Sequence, residues 1–115
     1  MTLPERDLGY LADLLDYGQR AMLHASRTTH DDFLASEENR DAILHCVTMV
    51  GEIAGRLSDD VATELPQFDW RAMKNMRNFI VHEYDRVDVE RVWRVVQEDV
   101  PAVVEALTRY LAQFP

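Results

Sequence analysis

Cysteine is almost missing from this chain. Cys46 stands alone in 115 residues, which excludes an internal disulfide and a thiolate cluster for zinc. Set within Ile43-Leu44-His45-Cys46-Val47, it is expected to serve as a small buried hydrophobe. Glycine and proline are scarce as well, four of each, so there are few turns and the chain favours a few long helices. No apolar run approaches the roughly 20 residues needed to cross a bilayer, and the start Met1-Thr2-Leu3-Pro4-Glu5-Arg6-Asp7 lacks a basic stretch followed by an apolar core. A cytoplasmic protein with no membrane association is the expectation. Positive charge is the minority: 12 Lys and Arg against 21 Asp and Glu give a net charge of −9. That balance argues against a protein that coats nucleic acid non-specifically, because phosphate binding relies on Lys and Arg displacing counterions.

The signatures of several enzyme classes are missing too. There is no phosphate-cradling glycine-rich loop, no Gly-x-Ser-x-Gly elbow and no His-Glu-x-x-His zinc helix. No Glu has a His three residues further on, as facing helices of a di-metal bundle require. No metal or cofactor is therefore expected. Of the four histidines, His24 and His30 sit near a helix end and a polar loop, where solvated surface roles are expected. His45 shares a helix with Glu52 seven residues on, so the two can face the same way, and a satisfied structural role is expected for His45.

What is present is helical periodicity. At 115 residues, 47% hydrophobic and 29% charged, the chain can close one core, so residues 1–115 are expected to form a single all-α domain. A first helix opens at Thr2-Leu3-Pro4-Glu5, a possible capping box, with Leu8, Leu11, Leu15 and Met22 as its core face. The polar stretch from Ser26 to Asp32 reads as a connection. Ser36 then caps a second long helix with Glu37 and Glu38 at its positive end and a stripe of Ile43, Val47, Val50, Ala54 and Leu57. Ser58-Asp59-Asp60 is placed to cap a short extra helix reaching Leu65, closed by Pro66. Asp69 caps a third main helix carrying Trp70, Met73, Met76 and Ile80 and ending near Tyr84. Asp88 caps the last, whose stripe runs from Val89 through Val92, Trp93, Val96, Val100, Val103 and Leu107 to Leu111. Pro101 lies inside that stripe and is expected to kink it or cost a hydrogen bond. The whole predicts an up-and-down bundle of four main helices with a short extra one.

The third helix holds the chemistry. Residues 70–94 carry six cations against four carboxylates, a balance of +2, while the rest of the chain carries −11. On a wheel of about 100° per residue, Asn78 and His82 are neighbours away from the apolar cluster, and Arg77 at its border is long enough to reach them. Phe79 points nearly opposite the core stripe, where a monomer leaves its ring in water, so a partner surface is expected there. Spacing alone leaves a second reading open, in which His82 is a helix-end residue favoured by the dipole, Arg77 a surface ion-pair residue and Phe79 a scattered exposed apolar.

Arg77-Asn78, three intervening residues and His82 resemble the Arg-x4-6-His signature of HEPN domains, and Glu83-Tyr84 extends it to the Arg-x4-His-x-Tyr form of HepT-like toxins. The similarity runs along nearly the whole chain. Arg40 to Leu44, Val50 to Ser58, Trp70 to Met73, Met76 to Asn78 and Val87-Asp88 through Val92-Trp93 follow the family pattern in order, with departures at Val81 and Asp85-Arg86. The resemblance implies a HEPN-like bundle and a metal-independent ribonuclease toxin, held in check by a small nucleotidyltransferase antitoxin. It further implies a homodimer that brings two Arg-His motifs into one cleft and buries Phe79. Arg77 would stabilise phosphate, two copies of His82 would act as base and acid, and Asn78 would orient His82 or a phosphate oxygen. The Tyr84 hydroxyl would accept AMP from the antitoxin. A HEPN module that binds a nucleotide or partner without cleaving RNA is the alternative.

Overall fold

Local capping chemistry sets where the helices begin. In the computed structural model, which describes residues 3–82 and 88–114, Ser36 accepts a hydrogen bond from the Asn39 N–H at 3.4 Å and starts helix α3, Glu37–Ala54. Asp69 accepts from the Ala72 N–H at 2.9 Å before α5, Trp70–His82. Asp88 accepts from the Arg91 N–H at 3.2 Å before the last helix. All three caps stand where the sequence places them. The first does not: α1, Glu5–Ser26, starts behind Pro4 with no side-chain cap bond, and Thr2 lies outside the described residues.

The face that α1 turns inward also differs from the expected one. Its buried row is Leu11, Leu14, Gly18, Ala21 and Ala25, while Leu8, Leu15 and Met22 are only half-buried. Small residues mark the closest approach of a neighbour. A Cβ on Gly18 would stand 2.8 Å from Val104 Cγ2, so the helix rolls toward the residues that let another backbone come near.

A second short helix occupies the stretch read as a connection. α2, His30–Ala35, is capped by Thr29, whose side chain accepts from the Asp32 N–H at 3.1 Å. It drives Phe33, with no exposed surface, against Trp93 at a ring distance of 5.0 Å. The expected short helix is α4, Asp59–Glu64, behind Ser58. Ser58 spends its hydroxyl elsewhere: both its Oγ–H and its N–H donate to the buried Asp7 carboxylate, at 2.5 and 3.1 Å. Asp7 thereby ties the start of α1 to the chain between α3 and α4. Two donors offset the cost of burying that charge.

The last helix, α6, runs continuously from residue 89 to 111: Val89–Arg94, a π-helical turn at Val95–Asp99, then Val100–Leu111. The proline ring at 101 would press on the carbonyl four residues back, at Gln97. Gln97 lies inside the π turn, which widens the helix where the ring needs space.

Among the described residues the fold is all-α, with α1, α3, α5 and α6 packed together and α2 and α4 as short additions. α3 lies against both α1 and α5, and α6 runs along α1. α5 returns along α3, since Gly51 meets Met73 and Arg77 while Gly55 meets Lys74. Two apolar clusters fill the interior, one around Phe33, Ile43 and Ile80, the other around Leu11, Ile53 and Leu107. α5 and α6 do not close on each other: a groove of about 780 Å³ opens between Met73 and Met76 on one wall and Val95 and Ala102 on the other. No helix among the described residues is long and apolar enough to cross a membrane.

Candidate active site

The site begins with an absent side chain. A Cβ on Gly51 would fall 2.5 Å from both Arg77 Cβ and the Met73 carbonyl oxygen, so glycine is what allows α3 and α5 to touch here. That contact brings the next residue of α3, Glu52, to Arg77. The Arg77 Nε–H donates to Glu52 Oε2 at 2.5 Å, and its Nη1 donates to Asn78 Oδ1 at 2.9 Å. The pair is about one-third exposed on each side, 29% for Arg77 and 34% for Glu52. A guanidinium carries five N–H donors in a rigid fork. Among the described residues two are engaged, by Glu52 and Asn78, and the others can turn to an anionic oxygen. Because the Asn78 oxygen faces Arg77, its NH2 group is the part left for a ligand. The Asn78 oxygen therefore steadies Arg77.

His82 is the last described residue of α5 and is exposed, as is Val81 beside it at 45%. Asn78 and His82 share the outer face of α5, one turn apart. Arg77 and Asn78 are thus directly joined, with His82 one turn further along. Tyr84, the expected modification site, lies outside the described residues, as does the expected end of α5 near it.

Phe79 departs from its expected place. It is half-buried, packs against the cluster around Phe33 and Ile80, and lies under the Arg91 guanidinium at 5.8 Å. The wheel counted only the stripe that meets α3. Phe79 lies beside that stripe and packs against the cluster that Phe33, Ile80 and Val92 form, so the inward arc of α5 is wider than one stripe.

Glu52 is the residue that sequence reasoning left without a role. Its spacing pointed to His45, but the shorter link is to Arg77 on another helix, which periodicity within α3 cannot see. His45 is exposed and meets Tyr17 edge-on at 6.1 Å. His30 is not simply solvated: it stacks on Trp93 at 5.3 Å and its Nε2 is 2.7 Å from Glu90 Oε2. Cys46 is buried as expected, and burial pushes its thiol up from the ordinary range. Among the described residues no cluster of three or more His, Cys, Asp or Glu is arranged to hold a metal ion.

A fixed guanidinium with free donors, an amide and an exposed imidazole suit recognition of a phosphodiester and proton transfer at it. A family model described as ribonuclease HepT-like matches residues 11–110. The chain is 28% identical over 94 residues to "Probable ribonuclease HepT" of Thermococcus cleftensis, covering 82% of this chain and 86% of that one. It is 24% identical over 102 residues to a Methanocaldococcus jannaschii protein that carries an RNase name, covering 88% and 94%. No solved structure matches it significantly.

Proposed function

Because this chain belongs to the HepT-like ribonuclease family, we propose that it cleaves RNA by acid–base phosphotransfer without a metal ion, with Arg77, Asn78 and His82 as the working residues. The observation that carries this reading is the tethered Arg77, held by Glu52 and Asn78 with donors to spare, one turn from an exposed imidazole. In the reaction a 2′-hydroxyl loses its proton to a base and attacks the adjacent phosphorus. The 5′-oxygen leaves and takes a proton from an acid, giving a 2′,3′-cyclic phosphate and a 5′-hydroxyl end. Histidine suits both roles because its ordinary titration range lies nearest neutrality. One bundle supplies one suitably placed imidazole, so a homodimer completes the site, His82 acting with the partner subunit's His82. Val81, exposed beside it, supplies apolar contact for a second copy, with Phe79 at the margin of that surface. Arg77 and the Asn78 amide stabilise charge on the phosphorane oxygens.

The protein acts as the toxin of a toxin–antitoxin pair. A small nucleotidyltransferase antitoxin neutralises it by adding AMP to Tyr84, two residues beyond His82. The added phosphate occupies the cations that a scissile phosphate needs. The test is cleavage of single-stranded RNA by the purified protein with and without a chelator. Activity is expected in both and is expected to vanish in His82→Ala with the helical spectrum retained; activity that needs a divalent metal, or survives in His82→Ala, contradicts the mechanism. Co-expression with the antitoxin is expected to add the mass of AMP to wild type and not to Tyr84→Phe.

One observation favours a second reading, a nucleotide-binding HEPN module that does not cleave. The groove between α5 and α6 is lined by Met73 and Met76, which suit the face of a base, and by Arg91 and Arg94 for its phosphate, with Asp69, Glu98 and Asp99 also in the lining. Nucleotide-dependent thermal stabilisation lost in Arg91→Ala, together with no RNA cleavage by wild type, supports that reading over the first.

A further inference from the structure

In a chain of net charge −9, the described residues of α5, Trp70–His82, include no carboxylate: their polar members are Arg71, Lys74, Asn75, Arg77, Asn78 and His82. Arg71, Asn75, Asn78 and His82 are spaced 4, 3 and 4 apart, so they fall in one row along the helix. Arg71, Lys74, Asn75 and His82 are exposed and Asn78 is half-buried. Lys74 stands beside the row, its aliphatic stem passing Gly55 of α3. Among the described residues neither Arg71 nor Lys74 makes an ion pair. Asp69 is engaged in capping α5 and Glu52 in holding Arg77.

An ordinary solvated helix in an acidic protein carries charges of both signs. The described residues of α5 present only cations and amides on the face that runs to His82. We infer that the outer row of α5, Arg71, Lys74 and Asn75 leading to Asn78 and His82, is a track for the sugar–phosphate backbone of single-stranded RNA on one side of the scissile phosphate. The inference rests on the ribonuclease reading and adds to it a binding surface outside the reacting residues. From Arg71 to His82 the row spans about 16 Å at 1.5 Å rise per residue, enough for several nucleotides. Lys and Arg at one end neutralise phosphates, the amides donate to phosphate or sugar oxygens, and none of these contacts selects a base. The acidic remainder of the surface repels RNA elsewhere, so the strand is confined to this one helix. In a dimer whose two copies of His82 face each other, the row leads outward from the shared cleft along each α5.

The test uses His82→Ala as a non-cleaving background and a short fluorescein-labelled oligouridylate, with binding followed by anisotropy across a range of salt concentrations. Arg71→Ala with Lys74→Ala removes two phosphate contacts, so the slope of log affinity against log salt is expected to flatten by about 1.4, at 0.7 per contact for single strands. Arg27→Ala with Arg109→Ala, two cations removed elsewhere, is expected to leave the slope unchanged. Cleavage of a dinucleotide, which sits at His82 and is too short to reach Arg71 and Lys74, is expected to be the same in Arg71→Ala/Lys74→Ala as in wild type. An unchanged slope in the α5 variant, or an equal loss in the control pair, overturns the track while leaving the nuclease intact. A wild type that neither binds nor cleaves RNA overturns both.

Discussion

Arg77 owes its place to two residues of another helix. Gly51 lets the backbones meet and Glu52 takes the Nε–H, so the guanidinium plane is set before any substrate arrives. Glu52→Gln keeps the length but removes the charge. Since small misplacements of a reacting group can cost up to about 100-fold, a fall in kcat between about 10- and 100-fold is expected, with KM and the unfolding midpoint little changed. Cleavage kinetics beside urea melts check this. Stability should respond weakly because a pair about one-third exposed is screened by water and contributes roughly 1 kcal/mol at most. Gly51→Ala forces α5 away from α3 and is expected to lower both activity and stability, the latter by about 1–3 kcal/mol. At Cys46 burial raises the thiol pKa, so the reactive thiolate is scarcer at a given pH than for a free cysteine. Iodoacetamide at mildly alkaline pH is expected to modify it slowly in the native protein and fast in urea. Equal rates in the two states contradict a buried thiol.

At the scale of the element, the caps at Ser36, Asp69 and Asp88 were readable because capping is a local bond between a side chain and a backbone N–H three residues on. The Arg77–Asn78 link was readable for the same reason, being one residue apart on one helix. Contacts between helices were not. Periodicity showed that α1 has an apolar stripe but not that Gly18 and Ala21, poor in hydrophobic surface, mark the tight contact. It showed one stripe on α5 but not that Phe79, beside that stripe, packs against the cluster around Phe33 and Ile80. The short α2 was hidden because its cap, Thr29, sits in a run of polar residues and only Phe33 betrays an inward face. α2 is nonetheless a structural element: Phe33 is fully buried between its own helix and Trp93. Phe33→Ala is expected to cost about 3–5 kcal/mol in denaturant unfolding. A cost below about 1 kcal/mol would make α2 a surface decoration.

For the whole molecule, charge and shape act together. The −11 carried outside residues 70–94 repels polyanions there, and under the proposed track this steers RNA toward the cations and His82 of α5. Binding and cleavage are therefore expected to weaken steeply with added salt. A single chain places one His82 on α5, so the proposed reaction also sets the assembly. Sedimentation at micromolar concentration is expected to give a dimer, and Val81→Asp on the exposed face is expected to shift it toward monomer with activity lost in parallel; a monomeric wild type with full activity contradicts a shared cleft. The central claim is the phosphotransfer itself, and its products record it. End-group analysis of a defined single-stranded RNA incubated with the protein in chelator should show 2′,3′-cyclic phosphate and 5′-hydroxyl ends that are absent with His82→Ala, whereas intact RNA, or fragments bearing 5′-phosphates, would contradict the account.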